Sequence, residues 1–269
     1  MVKTNQINSC RIFKSSRKYF CYHQRNFNQK LRRYLLDNLV TIFISFFLIL
    51  CNSCTEMDKF EFEKMETTGS IPLPSEAPDQ WLLAHIDVET TGLLPGYHEM
   101  IDIGIVMTTI EGDILDSLFL RIKPQHPERL SPGAFEVNAF DPERWKELGA
   151  FSIAEAVDSI ISFHKKTAGD KQVLMVANNS HFDAAFLDHL FRTVHKTWRE
   201  LYYYYILDIP SMAWGLGFRD LNNRQIMEIY NIPDEPHIAQ QHTGITGAML
   251  NVRIYRALLH YMNGFTTTE

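Results

Sequence analysis

Two carboxylates stand two residues apart in the segment His85-Ile-Asp-Val-Glu-Thr-Thr-Gly-Leu93. On a β-strand that spacing puts both on one face, so Asp87 and Glu89 converge at the strand's C-terminal end. Carboxylate oxygens held this way suit a hard cation such as Mg²⁺ or Mn²⁺. An isolated Asp-x-Glu is as readily a solvated pair of edge residues, but here Ile86 and Val88 place the acids beside buried positions. Thr90, Thr91, Gly92 and Leu93 then predict a tight turn whose backbone amides can meet a terminal sugar or phosphate. A third acid lies in Asn178-Asn-Ser-His-Phe-Asp-Ala-Ala-Phe-Leu187, which follows an apolar run. Asp183 falls in the first turn of a helix there, where it can cap the helix or face a metal. The company of Asp87 and Glu89 favours the metal, giving Asp87, Glu89 and Asp183 as candidate ligands.

The elements that must position these residues follow from apolar patterning. Trp81 to Asp87 reads as a buried central strand, and Met100 to Thr109 and Ile114 to Ile122 as two further strands around a hairpin at Glu111-Gly-Asp113. Ile153 to Lys165 carries apolar residues at helical spacing, Val173 to Val176 reads as another buried strand, and His181 to Val194 as an amphipathic helix. Tyr202 to Leu207 predicts a last strand. Its four consecutive tyrosines suggest a base-stacking platform, although alternation sends half of the rings into the core. Asp208, Ser211 and Met212 lead into helical segments, and Gly247 to Met262 predicts a final helix with Met249, Val252, Tyr255 and Leu259 on one face. The order βββαβαβα defines an α/β layer with a mixed sheet.

With 269 residues, 45% of them hydrophobic, the chain can bury one substantial core and still carry an extension. The net charge of -6 argues against a tight non-specific duplex binder. It leaves room for a protein that grips only a few nucleotides through bound metal. All four cysteines lie between Cys10 and Cys54, so residues 81–264 need no disulfide framework. Cys51-Asn-Ser-Cys54 supplies too few ligands for a zinc site and lacks a thioredoxin context.

Residues 1–56 combine a basic stretch with the apolar run Leu39 to Leu50, the shape of a signal or lipoprotein segment. The alternative is translation starting at Met57 or Met65. The corresponding localisation is cytoplasmic, or membrane-anchored or exported if the hydrophobic segment is genuine. Residues 57–80 read as a linker.

The Asp87-Val-Glu-Thr-Thr-Gly segment, Ile101-Asp-Ile-Gly104, Asn179-x-x-Phe-Asp183 and a C-terminal His resemble the DEDDh branch of the DnaQ-like exonucleases, over roughly Trp81 to Gly264. The resemblance implies a ribonuclease H-like sheet flanked by helices and release of nucleoside 5′-monophosphates from single-stranded 3′ ends or short oligonucleotides. It implies two Mg²⁺ or Mn²⁺ ions held by Asp87, Glu89 and Asp183, and a His that deprotonates the attacking water. Leu93 would wedge against the terminal base, with Thr90, Thr91, Gly92 and Asn179 at the substrate. Pairing as a homodimer stays open.

One motif departs from the family, in which a His is followed after four residues by Asp and then usually Ala. Here His242-Thr-Gly-Ile-Thr-Gly247-Ala248 has Gly in place of that Asp. A second frame takes His237 as the base and His242 as the ligand. Gly247-Ala248 leads directly into the final helix, which favours the first frame and His242 as the base. Asp234 or Glu235 stands nearby as a substitute acid, and in the first frame Gly247→Asp is expected to raise activity or tighten metal dependence. Two classes of function follow: an active exonuclease with an unusually completed site, or a degenerate module that binds nucleic-acid ends or nucleotides without cutting.

Overall fold

The computed structural model describes residues 71–266. The expected N-terminal extension and most of the linker lie outside them. Residues 71–80 run onto the domain: the Trp81 indole N–H donates to Pro72 O at 2.9 Å, and Ile71 packs beside Trp81 and Leu83. Among the described residues no helix is long and apolar enough to cross a membrane.

Five strands form one mixed sheet in the order β3-β2-β1-β4-β5. They are β1 (Trp81–Thr90), β2 (Met100–Thr108), β3 (Ile114–Arg121), β4 (Gln172–Ala177) and β5 (Ile206–Asp208). The pairs β1–β2 and β2–β3 are antiparallel, the first joined by the loop 91–99 and the second by the turn 109–113. The pairs β1–β4 and β4–β5 are parallel and are linked through helices. Among the described residues seven α-helices surround the sheet: α1 (Pro132–Asn138), α2 (Pro142–Glu147), α3 (Ile153–Ala168), α4 (Ser180–Thr193), α5 (Ile209–Gly215), α6 (Arg224–Ile229) and α7 (Gly244–Thr266).

Strand β1 is central and nearly all buried, so both of its faces meet a core. Leu82, Ala84, Ile86 and Val88 face one side, against Val157 and Ile160 of α3 and Phe186 and Leu190 of α4. The alternate residues face α7: Trp81 and Leu83 pack with Ile254, Tyr255 and Leu258. His85, Asp87 and Glu89 continue that second row, so the acids lie under the start of α7 by simple strand alternation.

Two glycines let α7 come that close. A side chain at Gly104 would meet Gly244 O at 2.2 Å, and one at Gly244 would meet Asp87 O at 2.5 Å. Backbone therefore touches backbone where α7 begins, which only residues without a Cβ allow. Further along the helix, Asn251 donates from its side-chain amide to Ile86 O at 2.9 Å, satisfying a buried polar group and fixing the helix on β1.

The expected strand Tyr202 to Leu207 is corrected to the three residues of β5. The backbone before it meets β4 only through Tyr203 N–H donating to Val173 O at 2.8 Å. Tyr202 is buried and Tyr203 lies edge-on to Trp81, while Tyr204 and Tyr205 are exposed at 69% and 64%. Because β1, β4 and β5 run parallel, these rings stand at the end of the sheet opposite Asp87 and Glu89. The expected helices α3, α4 and α7 are present, α7 beginning one turn earlier than Gly247. Helices α1 and α2 escaped the periodicity because they are too short to show it. Each opens with a capping side chain followed by proline: Ser131 Oγ accepts from Ala134 N at 3.2 Å, and Asp141 Oδ1 accepts from Arg144 N at 2.8 Å.

Candidate active site

The acids meet at the C-terminal end of β1. Glu89 is buried, and its two oxygens are engaged by different elements. Asn138, at the end of α1, donates its side-chain amide to Glu89 Oε2 at 3.3 Å and to Thr90 O at 3.0 Å. His242, just before α7, brings Nε2 to 3.2 Å from Glu89 Oε1. Its Nδ1 lies 3.5 Å from Glu235 Oε2. Two flanking carboxylates hold the imidazolium, with Glu89 the stronger influence, and raise His242 from 6.5 to about 9.

Asp87 keeps a solvent-facing edge but is pushed well above the usual carboxylate range by burial and then by the charges of Asp183, Glu89, Glu235 and Asp102. Asp183 is buried in the first turn of α4 and is raised for the same leading reason, opposed by backbone N–H groups of Asp183 itself and Val88. The charge that acts most on Asp183 is Glu89, and Asp183 in turn acts on Asp87, so Asp87, Glu89 and Asp183 share one field. Such crowding is unfavourable unless protons or cations relieve it.

Asp102, part of the Ile101-Asp-Ile-Gly104 motif but given no site role from the sequence, joins the acids here. It pairs with Glu89 across the β1–β2 register. Its Oδ1 accepts from Gly244 N at 2.9 Å, while Oδ2 is buried without a partner. Burial and the Glu89 charge raise Asp102 to about 8. The sequence carries no signal for this pairing, because residues 91–99 join β1 to β2 and no local pattern sets the register across them. For Asn138 nothing in the sequence spacing links it to Glu89, 49 residues away.

The remaining expected residues divide. Leu93 stands 77% exposed at the tip of its loop. Thr90 and Thr91 are buried, and their hydroxyls are spent inside the loop, Thr90 Oγ1 donating to Gly92 O at 2.7 Å and Thr91 Oγ1 accepting from Glu99 N at 3.0 Å. The amides of Thr91, Gly92 and Leu94 are also used internally, by Glu99 O, Thr90 Oγ1 and His98 Nδ1. Gly92 is required because the His98 ring would lie 2.5 Å from any Cβ there. Asn179 is exposed at the N-terminus of α4 in a left-handed conformation, φ 64°.

His237 points away: its side chain is 86% exposed and sits 3.4 Å from Asp234. His242 is the histidine that the fold brings to the acids. Gly247 faces them too, since a Cβ there would lie 2.3 Å from Asp87 Oδ2. An added side chain must therefore displace Asp87, so the simple gain expected from Gly247→Asp does not follow from this geometry.

Comparison with known proteins agrees with this architecture. Residues 85–254 match the family model described as the RNase T exonuclease family, and the chain belongs to that family, within the DnaQ-like superfamily. It is 25% identical over 184 residues to the 3′-5′ DNA exonuclease Cap18 of Escherichia coli, covering 67% of this chain and 92% of that protein. The nuclease domain of 3′hExo, a DEDDh family member bound to rAMP, superposes with a TM-score of 0.54 at 15% identity, over 68% of this chain and 92% of that one. Exonuclease I gives the same TM-score at 14% identity, over 70% of this chain and 43% of that one. The chain thus spans less than half the length of Exonuclease I. The mixed sheet with flanking helices is the ribonuclease H-like exonuclease fold.

Proposed function

We propose that the protein is a metal-dependent 3′-5′ exonuclease that hydrolyses the terminal phosphodiester of single-stranded DNA or RNA. The observation that carries this reading is the meeting of Asp87, Glu89 and Asp183 with His242 at one end of β1. The kinship to a DNA exonuclease adds support for DNA as a substrate.

Exonucleases of the DEDDh family generally use divalent metal ions. Among the described residues no three His, Cys, Asp or Glu side chains are already closed around a point as a metal cage. The donor chemistry nevertheless fits Mg²⁺ or Mn²⁺: the strongest influences on Asp87 after burial are four other acids. Asp87, Glu89 and Asp183 would hold the ions, with Gly247 standing where the family carries its fourth acid. Bound cations supply activation of water and neutralisation of the phosphate and departing oxygen. Once the charge of Glu89 is committed elsewhere, the imidazolium loses its main support, and Nε2 of neutral His242 can take a proton from water. Leu93 presents an apolar edge to the terminal base.

The test is shortening of a 5′-labelled single-stranded oligonucleotide by the full-length chain with Mn²⁺ or Mg²⁺. Asp87→Asn is expected to lower the rate by at least about 10² to 10³. Oligonucleotide binding without shortening under any divalent metal would replace this reading with that of an end-binding module.

A further inference from the structure

The loop between α6 and α7 carries two adjacent acids that face opposite ways. Asp234 is 55% exposed and pairs with the outward His237. Glu235 is turned inward, its side chain only 18% exposed, with Oε2 3.5 Å from His242 Nδ1. Thr246, in the first turn of α7, places its hydroxyl 2.9 Å from the same oxygen. That hydroxyl has one proton, and Thr243 O competes for it at 2.7 Å. The Nδ1–H of His242 is thus the other donor within reach of Glu235.

A neutral imidazole carries one N–H, and the partner of each nitrogen decides where it sits. A carboxylate at Nδ1 keeps the proton on that side and leaves the Nε2 lone pair toward the opposite side. On His242 that side is Glu89, with Nε2 3.2 Å from Oε1, so the two carboxylates compete for the ring proton and Glu235 prevails only when the charge of Glu89 is engaged elsewhere. The ring stands between the two carboxylates, so Glu235 contacts Glu89 through His242, while its charge is also felt at Asp87.

We infer that Glu235 is the positioning residue of His242, holding the ring with Nδ1–H toward the loop and Nε2 toward the strand-borne acids. The inference rests on His242 acting as the proposed base. Glu235 orients, and Thr246 anchors Glu235 to the helix that begins beside Asp87.

Two measurements on the full-length chain test it. With Mn²⁺ and a labelled oligonucleotide, Glu235→Ala should lower kcat about 10- to 100-fold, with KM and the Mn²⁺ half-saturation changed less than about twofold. Glu235→Asp should recover part of the loss. In metal-free Glu89→Gln protein, which lacks the competing carboxylate at Nε2, ¹⁵N NMR of neutral His242 should report Nδ1–H, with a shift toward the Nε2–H tautomer when Glu235→Ala is added. An unchanged kcat and tautomer would overturn the inference. So would a raised Mn²⁺ half-saturation with kcat recovered at high Mn²⁺, which would make Glu235 a ligand. A wild-type protein that shortens no oligonucleotide removes the hydrolytic reading alone, and the tautomer comparison still decides the role of Glu235.

Discussion

The two halves of the site are built differently: Asp87 and Glu89 ride on the central strand, whereas Glu235 and His242 come from the loop between α6 and α7. The strand half is fixed by register: β2 pairs with β1 through Asp87 and Glu89, and β4 pairs with the same strand as far as His85. The loop half is held by a few side-chain contacts: His242 to Glu89, Glu235 to Thr246, and Arg144, whose guanidinium donates to Gln240 O at 3.1 Å. Rigid strands can carry repelling charges because the sheet cannot relax away from them. A loop reaches the correct place only through partners, so its partners become part of the site.

The comparison breaks most visibly at His242. His242→Ala should lower kcat about 10²- to 10⁴-fold, and oligonucleotide affinity should survive. Equal losses in kcat/KM and affinity, measured by steady-state kinetics and fluorescence anisotropy, would place His242 in binding instead. On the strand side, Asn138→Ala removes the amide that holds Glu89, and a loss of about tenfold or more in kcat is expected. Asn138→Asp should cost more, because it puts a like charge beside Glu89.

Gly247→Asp sharpens the contrast between metal-free and metal-bound states. The new carboxylate must displace Asp87, so the metal-free protein should lose about 1–3 kcal/mol of stability in thermal unfolding. Mn²⁺ should recover more stability in this variant than in the wild type, because a cation relieves the added repulsion. An equal Mn²⁺ response in both would separate position 247 from the metal.

The smallest expected effect is a pH slope. Folding raises His242 from 6.5 to about 9, so its stabilisation is complete below pH 6.5 and lost as the pH climbs through 9. Asp102, raised to about 8, acts in the same direction, favouring the folded state while protonated. Metal-free protein in EDTA should therefore melt lower at pH 9 than at pH 6.5. The part due to His242 is about 1 kcal/mol after allowance for its solvent contact, and His242→Ala should flatten the slope by that amount. A slope unchanged by the substitution would place the coupling elsewhere.

Much of this was legible along the chain, where the physics is local. Alternation on β1 put Asp87 and Glu89 on one face, and the apolar run before Asn178 put Asp183 at a helix start. The first frame, with Gly247-Ala248 leading into the last helix, named the histidine that reaches the acids. The tyrosine run misled because successive rings can satisfy a strand pattern without strand hydrogen bonds, and neighbouring β4 pairs with only three residues of β5.

The sequence by itself determined the α/β order, the strand-borne acids and the histidine, because side-chain periodicity and turn chemistry act over a few residues. Tertiary structure alone decided that Asn138 and Asp102 flank Glu89, that Glu235 rather than Asp234 faces His242, and that Gly247 lies against Asp87. Those contacts join residues distant in sequence, and their distances are set by how α1 and α7 dock on the sheet rather than by any local pattern.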